Sequence, residues 1–276
     1  MKQRIGRSSR VFSAVQRGFT MVELAIVLVI AGLILTAVLK GTDTVNKAKV
    51  ERAVADLRGL QGMILEHQKR VNRLPGDCDG DGVIELAVPN TTVRTLLSTG
   101  AVTLNNAERD PQQLRVCGTP NPTTDTNDMT GATGGGAIGS DVQNLVWNEM
   151  RRSGVVDGHR TNLELARHSN QDAYLISSIT DAPSRTRSNV IVMYGIPVWM
   201  AEAIDAQIDG VQQDFGANTA MAGPACNGRV RRFDDNVAAF PVFTCTDARA
   251  QYNEGGLNRD DLVSILYQFD SVKLLN

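Results

Sequence analysis

Aromatic residues are scarce in this chain, and neither sign of charge dominates it. Phe, Trp and Tyr make up 5% of the 276 residues, which argues against a surface that binds nucleic acid by stacking bases. The 28 basic and 30 acidic side chains give a formal net charge of −2, which excludes a polybasic arm or a highly acidic tail as the dominant feature. Hydrophobic residues still reach 42%, enough for a packed core.

Catalytic motifs are also missing. The sequence has no P-loop, no G-x-S-x-G and no H-E-x-x-H, and the histidines His67, His159 and His168 show no ligand spacing. Gly134–Gly139 matches G-x-G-x-x-G, but it lies in the polar stretch 118–140 with no strand before it. A surface loop is therefore the better interpretation of that match. We predict that the protein is not an enzyme, and that His67 lies on the surface of a helix.

The N-terminus is strongly asymmetric. Residues 1–18 carry five basic side chains and no acid, whereas residues 19–39 form an apolar run whose one charge is Glu23. A helix over that run is about 31 Å long, close to the hydrocarbon thickness of a bilayer. The basic residues before the span place the N-terminus in the cytoplasm and the rest of the chain across the membrane. Alternatives are an uncleaved anchor and a secretory signal peptide, although Thr36 and Val38 make a poor cleavage site.

Glu23 needs an explanation of its own. A carboxylate within a membrane helix costs about 2.5–3.5 kcal/mol on insertion scales, and no Lys or Arg lies one or two turns further along the span. Its position near the start of the span lets the side chain reach towards the membrane surface. Cleavage of the chain before Phe19 would create a better partner, a new α-amino group.

The segment Arg17–Leu24, RGFTMVEL, resembles the processing motif of type IV prepilins and type II secretion pseudopilins. The resemblance implies that a prepilin peptidase cleaves between Gly18 and Phe19 and that Phe19 is then N-methylated. It also implies that Glu23 pairs with the N-terminal amine of a neighbouring subunit, and that the apolar helix packs inside a filament. One departure is that the span lacks the proline that many pilins carry near its end.

Beyond Lys40 the pattern changes from apolar to amphipathic. A stripe at alternating four- and three-residue spacing predicts a helix that packs on the protein's own head; its members are Val50, Val54, Leu57, Gln61, Ile64, Gln68 and Val71. Pro75-Gly76 is expected to end the helix. The predicted organisation is a basic leader at 1–18, an N-terminal helix at 19–72 with its transmembrane part at about 19–39 and an amphipathic stalk at 44–72, and an exported globular head at 73–276.

The head is predicted to be α+β, with the long N-terminal helix packed on an antiparallel sheet. The expected elements are a helix at 142–154, strands at 175–179, 190–194 and 238–244, and a closing helix at 258–273. In patches, such as 74–77, the head also resembles larger pilin-like proteins.

All four cysteines lie beyond the predicted span, where an oxidising compartment favours disulfides. Four cysteines allow three connectivities. We favour the sequential one, which joins Cys78 to Cys117 and Cys226 to Cys245. The second bond would close a C-terminal loop, in which respect the chain resembles many pilins.

An acidic turn follows the stalk. Asp77, Asp79 and Asp81 stand at alternate positions with a glycine next, as in the first half of an EF-hand loop, and such a loop suits Ca²⁺ more than Mg²⁺. The twelfth position is Val rather than Glu, so the usual bidentate ligand is absent, and Glu85 would substitute for it at the ninth. The alternative is an acidic turn held by the cysteine at 78, with no metal. We expect no other cofactor.

The leading functional expectation is a structural subunit of a type IV pilus or a type II secretion pseudopilus, and more specifically a minor pilin or a pseudopilin. The resemblance implies three partners: the prepilin peptidase, other pilin or pseudopilin subunits, and the inner-membrane assembly platform. It places the subunit in the inner membrane as a single-pass protein with a periplasmic head, and then in the filament. One alternative is a tip adhesin or DNA-uptake module using the basic residues Arg229, Arg231 and Arg232. Another is an uncleaved, membrane-anchored periplasmic protein.

Peptide mapping under non-reducing conditions tests the cysteine pairing. We expect two cross-linked peptides, one joining Cys78 to Cys117 and one joining Cys226 to Cys245. Four free thiols, or a cross-link between the two pairs, would contradict the prediction. The same digest after reduction is the control.

Overall fold

The computed structural model describes residues 20–78, 80–84, 97, 104, 117, 143–181, 186–210, 228–233, 242–243 and 258–273. Its helices and strands are, in chain order, α1 (Met21–Val71), α2 (Gln143–Arg152), α3 (Asn162–Ala166), β1 (Tyr174–Asp181), β2 (Thr186–Pro197), α4 (Val198–Ile208), β3 (Val230–Phe233), β4 (Val242–Phe243) and β5 (Leu262–Lys273). The chain divides into two compact units, Met1–Lys47 and Ala48–Asn276.

Helix α1 begins at Met21 and ends at Val71, so the predicted long N-terminal helix is confirmed. Its end is set by Asn72, whose backbone is left-handed (φ +60°) and whose N–H donates to the carbonyl of Gln68 at 2.8 Å. The helix therefore stops before the Pro75 expected to end it. The leader lies outside the described residues.

In the first unit, every residue from Thr20 to Val45 is exposed, including the large apolar side chains. An 18-residue window of α1 reaches a mean hydropathy of 2.8, and none of it is buried. By length and composition this part of α1 can cross a membrane. Within the described chain, its apolar surface has no burial partner.

In the second unit, α1 buries one face in the core of the head. The buried residues are Val50, Ala53, Val54, Leu57, Leu60, Ile64 and His67. Gln61, a polar member of the predicted stripe, accepts a hydrogen bond from the Tyr267 hydroxyl at 2.7 Å. That bond ties α1 to β5 and explains why an amide lies on the packed face.

The last turns of α1 depart from the predicted stripe, since Gln68 and Val71 are exposed and His67 is buried. The surface position expected for His67 is wrong. At this end the helix packs against the turn after α2 rather than against the sheet. His67 Nδ1 lies 2.9 Å from Ser153 Oγ, and Arg70 donates to the carbonyls of Ser153 and Gly154.

Within the part of the head that the structure describes, five strands form a sheet in the order β3-β5-β2-β1-β4. The pairs β1–β2, β2–β5 and β3–β5 are antiparallel, and the short β4 runs parallel to β1. The predicted strands at 175–179 and 190–194 lie inside β1 and β2, and β4 covers two residues of the third; the rest of 238–244 lies outside the described residues. The α+β architecture with an antiparallel sheet is confirmed.

The closing helix expected at 258–273 is wrong, because Leu262–Lys273 is strand β5. β5 lies between β3 and β2, and its consecutive residues Val263 to Tyr267 are all buried. A strand covered on both faces has no alternation of apolar and polar residues. Its apolar residues then fall by chance at helical spacing, so periodicity alone misassigns it.

His168 is a second buried histidine and holds the turn that enters β1. Its Nδ1 accepts a hydrogen bond from the Asn170 N–H at 3.1 Å, so its Nε2–H donates to the Tyr194 carbonyl at 2.6 Å. Burial lowers the pKa of His168 to about 4, against the opposing effects of that carbonyl and of Asp172. Burial also lowers the pKa of His67. Both rings are therefore neutral in the folded head at pH 7.

We expect the head to lose stability as the pH falls from about 6.5 to about 4. The unfolded His168 binds a proton near pH 6.5 and the folded one only near pH 4, so the unfolded state takes up more protons in this interval. The loss attributable to His168 is about 3 kcal/mol at the lower limit. Urea denaturation at several pH values measures it. His168→Gln should flatten the dependence, whereas His159→Gln, at an exposed position, should not; equal profiles would contradict this assignment.

Candidate functional site

The side chains of Thr20 and Glu23 cap the start of α1. The Thr20 N–H and hydroxyl both donate to Glu23 Oε2 at 2.8 Å, and the Glu23 N–H donates back to the Thr20 hydroxyl at 3.3 Å. This reciprocal arrangement is a capping box, which satisfies N–H groups that the helix leaves unpaired. Glu23 therefore has a partner within its own chain, one that sequence reasoning did not identify. Gly18 and Phe19, the expected cleavage and methylation residues, lie outside the described residues.

The segment that links α1 to the rest of the head is fixed by Glu149. This side chain comes from α2 and is buried, with 3% of its surface exposed. Arg73 forms a two-pronged ion pair with it, at 2.6 Å to Oε1 and 2.9 Å to Oε2. The backbone N–H groups of Gly76 and Cys117 donate to the same carboxylate at 2.9 and 3.0 Å. Four donors thus satisfy one buried charge, as burial of a charge requires.

The disulfide lies beside this ion pair. Cys78 and Cys117 are bonded, across a sequence separation of 39 residues, and this is the first of the two predicted pairs. Arg73 also donates to the Asp77 carbonyl at 3.0 Å and contacts Cys117 Sγ at 3.3 Å. The disulfide joins the segment after α1 to Cys117, and the Glu149 carboxylate binds both of these to α2 through Arg73, Gly76 and Cys117. Cys226 and Cys245 lie outside the described residues, so their pairing stays a prediction.

The acidic turn is folded around Asp77. Its Oδ1 accepts from the Gly80 N–H at 2.7 Å, its Oδ2 accepts from the Gly82 N–H at 3.1 Å, and the residue is 1% exposed. Asp81 Oδ1 accepts from the Val83 N–H at 2.8 Å. No group of three or more possible metal ligands occurs among the described residues. Asp79 and Glu85 are not among them, and binding of Ca²⁺ here stays a prediction.

Residues 14–39 match the family model for the prokaryotic N-terminal methylation motif. The chain carries the type IV pilin and pseudopilin signature. This signature confirms the resemblance that Arg17–Leu24 suggested, and it supports a pilin-like precursor. It implies processing by a prepilin peptidase and assembly with other pilins, and it suggests a structural subunit rather than an enzyme. Comparisons with the curated proteins and with the solved structures gave no significant match.

The three arginines considered for DNA binding do not share one exposed patch in the pilin-like head. Arg232 is buried at 5% exposure. Arg229 lies over the ring of Tyr267, 5.0 Å from its centroid, and donates to the hydroxyl of that residue at 2.8 Å. Arg231 donates to the Gly228 carbonyl at 3.1 Å. Each has a structural contact, so the geometry does not favour a common phosphate-binding surface.

Sequence reasoning missed Glu149, although a signal for it exists. Leu145 and Met150 lie at helical spacing on one apolar face of the helix, and Glu149 lies one turn after Leu145 on that face. An acid on an apolar face with an arginine elsewhere in the head indicates a buried ion pair. The partner, Arg73, is far away in sequence, which is why the pair was not predicted.

We expect Glu149→Ala to destabilise the head by about 3–5 kcal/mol, because Arg73 and two backbone N–H groups would lose their acceptor in a buried site. Urea denaturation of the full chain in detergent measures this loss. The matched control is Glu66→Ala, which breaks the exposed pair with Arg70 and should cost no more than about 0.5 kcal/mol. Losses of equal size in the two variants would contradict the role given to Glu149.

Proposed function

We propose that the protein is a minor pilin or pseudopilin, cleaved between Gly18 and Phe19, methylated at Phe19, and built into a filament through the apolar part of α1. The observation that carries the proposal is the exposure of every residue from Thr20 to Val45 in a segment that carries the methylation motif. The head, by contrast, has its own core and disulfide. Among the described residues this segment has no burial partner for its apolar surface, which favours lipid or other subunits as its partners.

The energy available from that surface is large. Burial of one Val, Leu or Ile side chain contributes about 1.5–3 kcal/mol relative to leaving it in water, and more than a dozen large apolar side chains between Met21 and Val45 are exposed. A helix also satisfies its own backbone hydrogen bonds. It can therefore move from a bilayer to a bundle of like helices without breaking them. This supports a segment that serves first as a membrane anchor and then as the packed interior of a filament.

Glu23 would change partners during this move. In the described chain its carboxylate is held by Thr20 at the positive end of the helix dipole. In an assembled filament it would instead pair with the methylated amine of a neighbouring Phe19. An ion pair removed from water is specific in position, because a displaced partner leaves a charge unpaired. Glu23 would in this way set the register between subunits.

Removal of the leader would also change the charge of the chain. The leader holds five of the 28 basic residues and no acid, so the mature chain would keep 23 basic and 30 acidic side chains, a formal charge of −7. The basic leader favours a cytoplasmic N-terminus until cleavage. What remains is an acidic exported subunit on an apolar helix, with its head in the periplasm and later in the filament.

Intact-mass measurement and N-terminal sequencing of the protein from cells test the processing. The expected product begins at methylated Phe19. Retention of residues 1–18 would overturn the proposal in favour of an uncleaved anchored protein.

Replacement of Glu23 tests the assembly. Glu23→Gln should leave membrane insertion intact and lower incorporation into filaments at least about tenfold, because the neighbouring amine would lose its charged partner. Shear fractionation of cells measures the incorporated fraction. Glu51→Gln, at an exposed position of α1, is the matched control and should assemble normally. Normal assembly of the Glu23 variant would contradict the register role.

A further inference from the structure

A groove of about 460 Å³ lies on the head, within the size range of small-ligand sites. Several elements meet there: α1 contributes Lys49, the turn before β1 contributes Gln171 and Asp172, a bulge of β2 contributes Gly195, and the first turn of α4 contributes Trp199. The lining thus combines an aromatic side chain with polar groups from separate parts of the sequence.

The backbone around the groove is unusual at two adjoining positions. Gln171 has φ +69°, a left-handed conformation that is unfavourable for a residue with a side chain, and Gly195 has φ +64°. A Cβ on residue 195 would lie 2.7 Å from Asp172 Oδ2, so only glycine fits there. Strained positions of this kind are retained where the geometry serves a function. Here the strained turn presents Gln171 to the groove.

Three of the side chains at the groove have polar groups that are available for a ligand. Among the described residues, the Lys49 ammonium forms no ion pair, and the side chains of Gln171 and Trp199 form no hydrogen bond. Trp199 is only partly buried, in contrast with Trp147, which is 1% exposed in the core. The groove therefore offers an aromatic surface with a free indole N–H, an ammonium and an amide.

We propose that this groove binds a neutral saccharide, with a sugar ring against Trp199 and hydroxyls bonded to Lys49 and Gln171. A purely apolar ligand would leave those donors without partners, which costs free energy. An anion would find one ammonium, from Lys49, and one carboxylate, from Asp172, in the same lining, so the groove carries no net positive charge. A sugar ring has a C–H face that suits an aromatic side chain, and its hydroxyls both donate and accept hydrogen bonds. The head would thus carry a receptor site in addition to its role as a subunit.

Acrylamide quenching of tryptophan fluorescence tests the proposal. Because Trp147 is buried, quenching of the full chain reports mainly on Trp199. The chain is kept in a detergent without a sugar headgroup and titrated with glucose, galactose, mannose, N-acetylglucosamine and lactose. We expect at least one of these sugars to protect the fluorescence saturably, and the protection to be absent in Trp199→Phe.

Two groove variants and one control separate recognition from stability. Lys49→Ala and Gln171→Gly should each weaken sugar binding about tenfold, the effect of losing a hydrogen bond to the ligand. Gln171→Gly should not lower Tm, because glycine adopts the positive φ without strain. Lys69→Ala, at an exposed position outside the groove, should bind normally.

Three results would overturn the proposal. The first is no protection by any of the five sugars, and the second is protection in both groove variants that is as strong as in the unmodified protein. The third is a fall in quenching with rising protein concentration in the absence of sugar, which would identify the groove as a contact between copies of the chain.

Discussion

Helix α1 is one continuous helix, with a first part suited to lipid and a second part that packs in the head. The rest of the structure depends on this constraint. Up to Val45 its residues are exposed and mostly apolar, and from Val50 its buried face enters the core of the head. A helix makes its backbone hydrogen bonds within its own segment and therefore keeps them in both lipid and water. The sheet, α2 and the disulfide are then arranged around the second half of the same helix. The bond from Tyr267 to Gln61 is one direct expression of this, because it fixes a central strand to α1.

Two carboxylates illustrate how the chain treats buried or membrane charge. The Glu149 carboxylate accepts hydrogen bonds from the Arg73 guanidinium and from two backbone N–H groups, all within the head. Its charge is therefore fully paired in the folded protein. Among the described residues, Glu23 accepts hydrogen bonds from Thr20 alone, which is exposed with it at the start of α1. The first arrangement stabilises a fold. The second is local and exposed, and under the proposed function it would let Glu23 exchange Thr20 for the amine of a neighbouring subunit.

Sequence analysis predicts correctly those elements whose hydrophobic pattern reflects contact with a single environment. The apolar run and the stripe from Val50 to Ile64 each meet a single environment, so α1 was predictable almost to its ends. The strand conformation of β5 and the burial of His67 were not predictable, because each is covered by elements that come from elsewhere in the chain. The same reason applies to Glu149, whose partner Arg73 lies more than seventy residues away. Long-range partners leave no periodic trace in the sequence.

The side chains of the motif segment and those of the head are restricted by different physical requirements. Under the proposed function, the residues of 14–39 face other molecules: a peptidase, lipid and neighbouring helices. Each of those partners restricts which side chains are acceptable at a given position. The head is restricted mainly by its own packing, and a core tolerates many substitutions if volume and patterning are kept. Its surface is then free to diverge, so a binding groove such as that beside Trp199 must be argued from its own residues rather than from the motif.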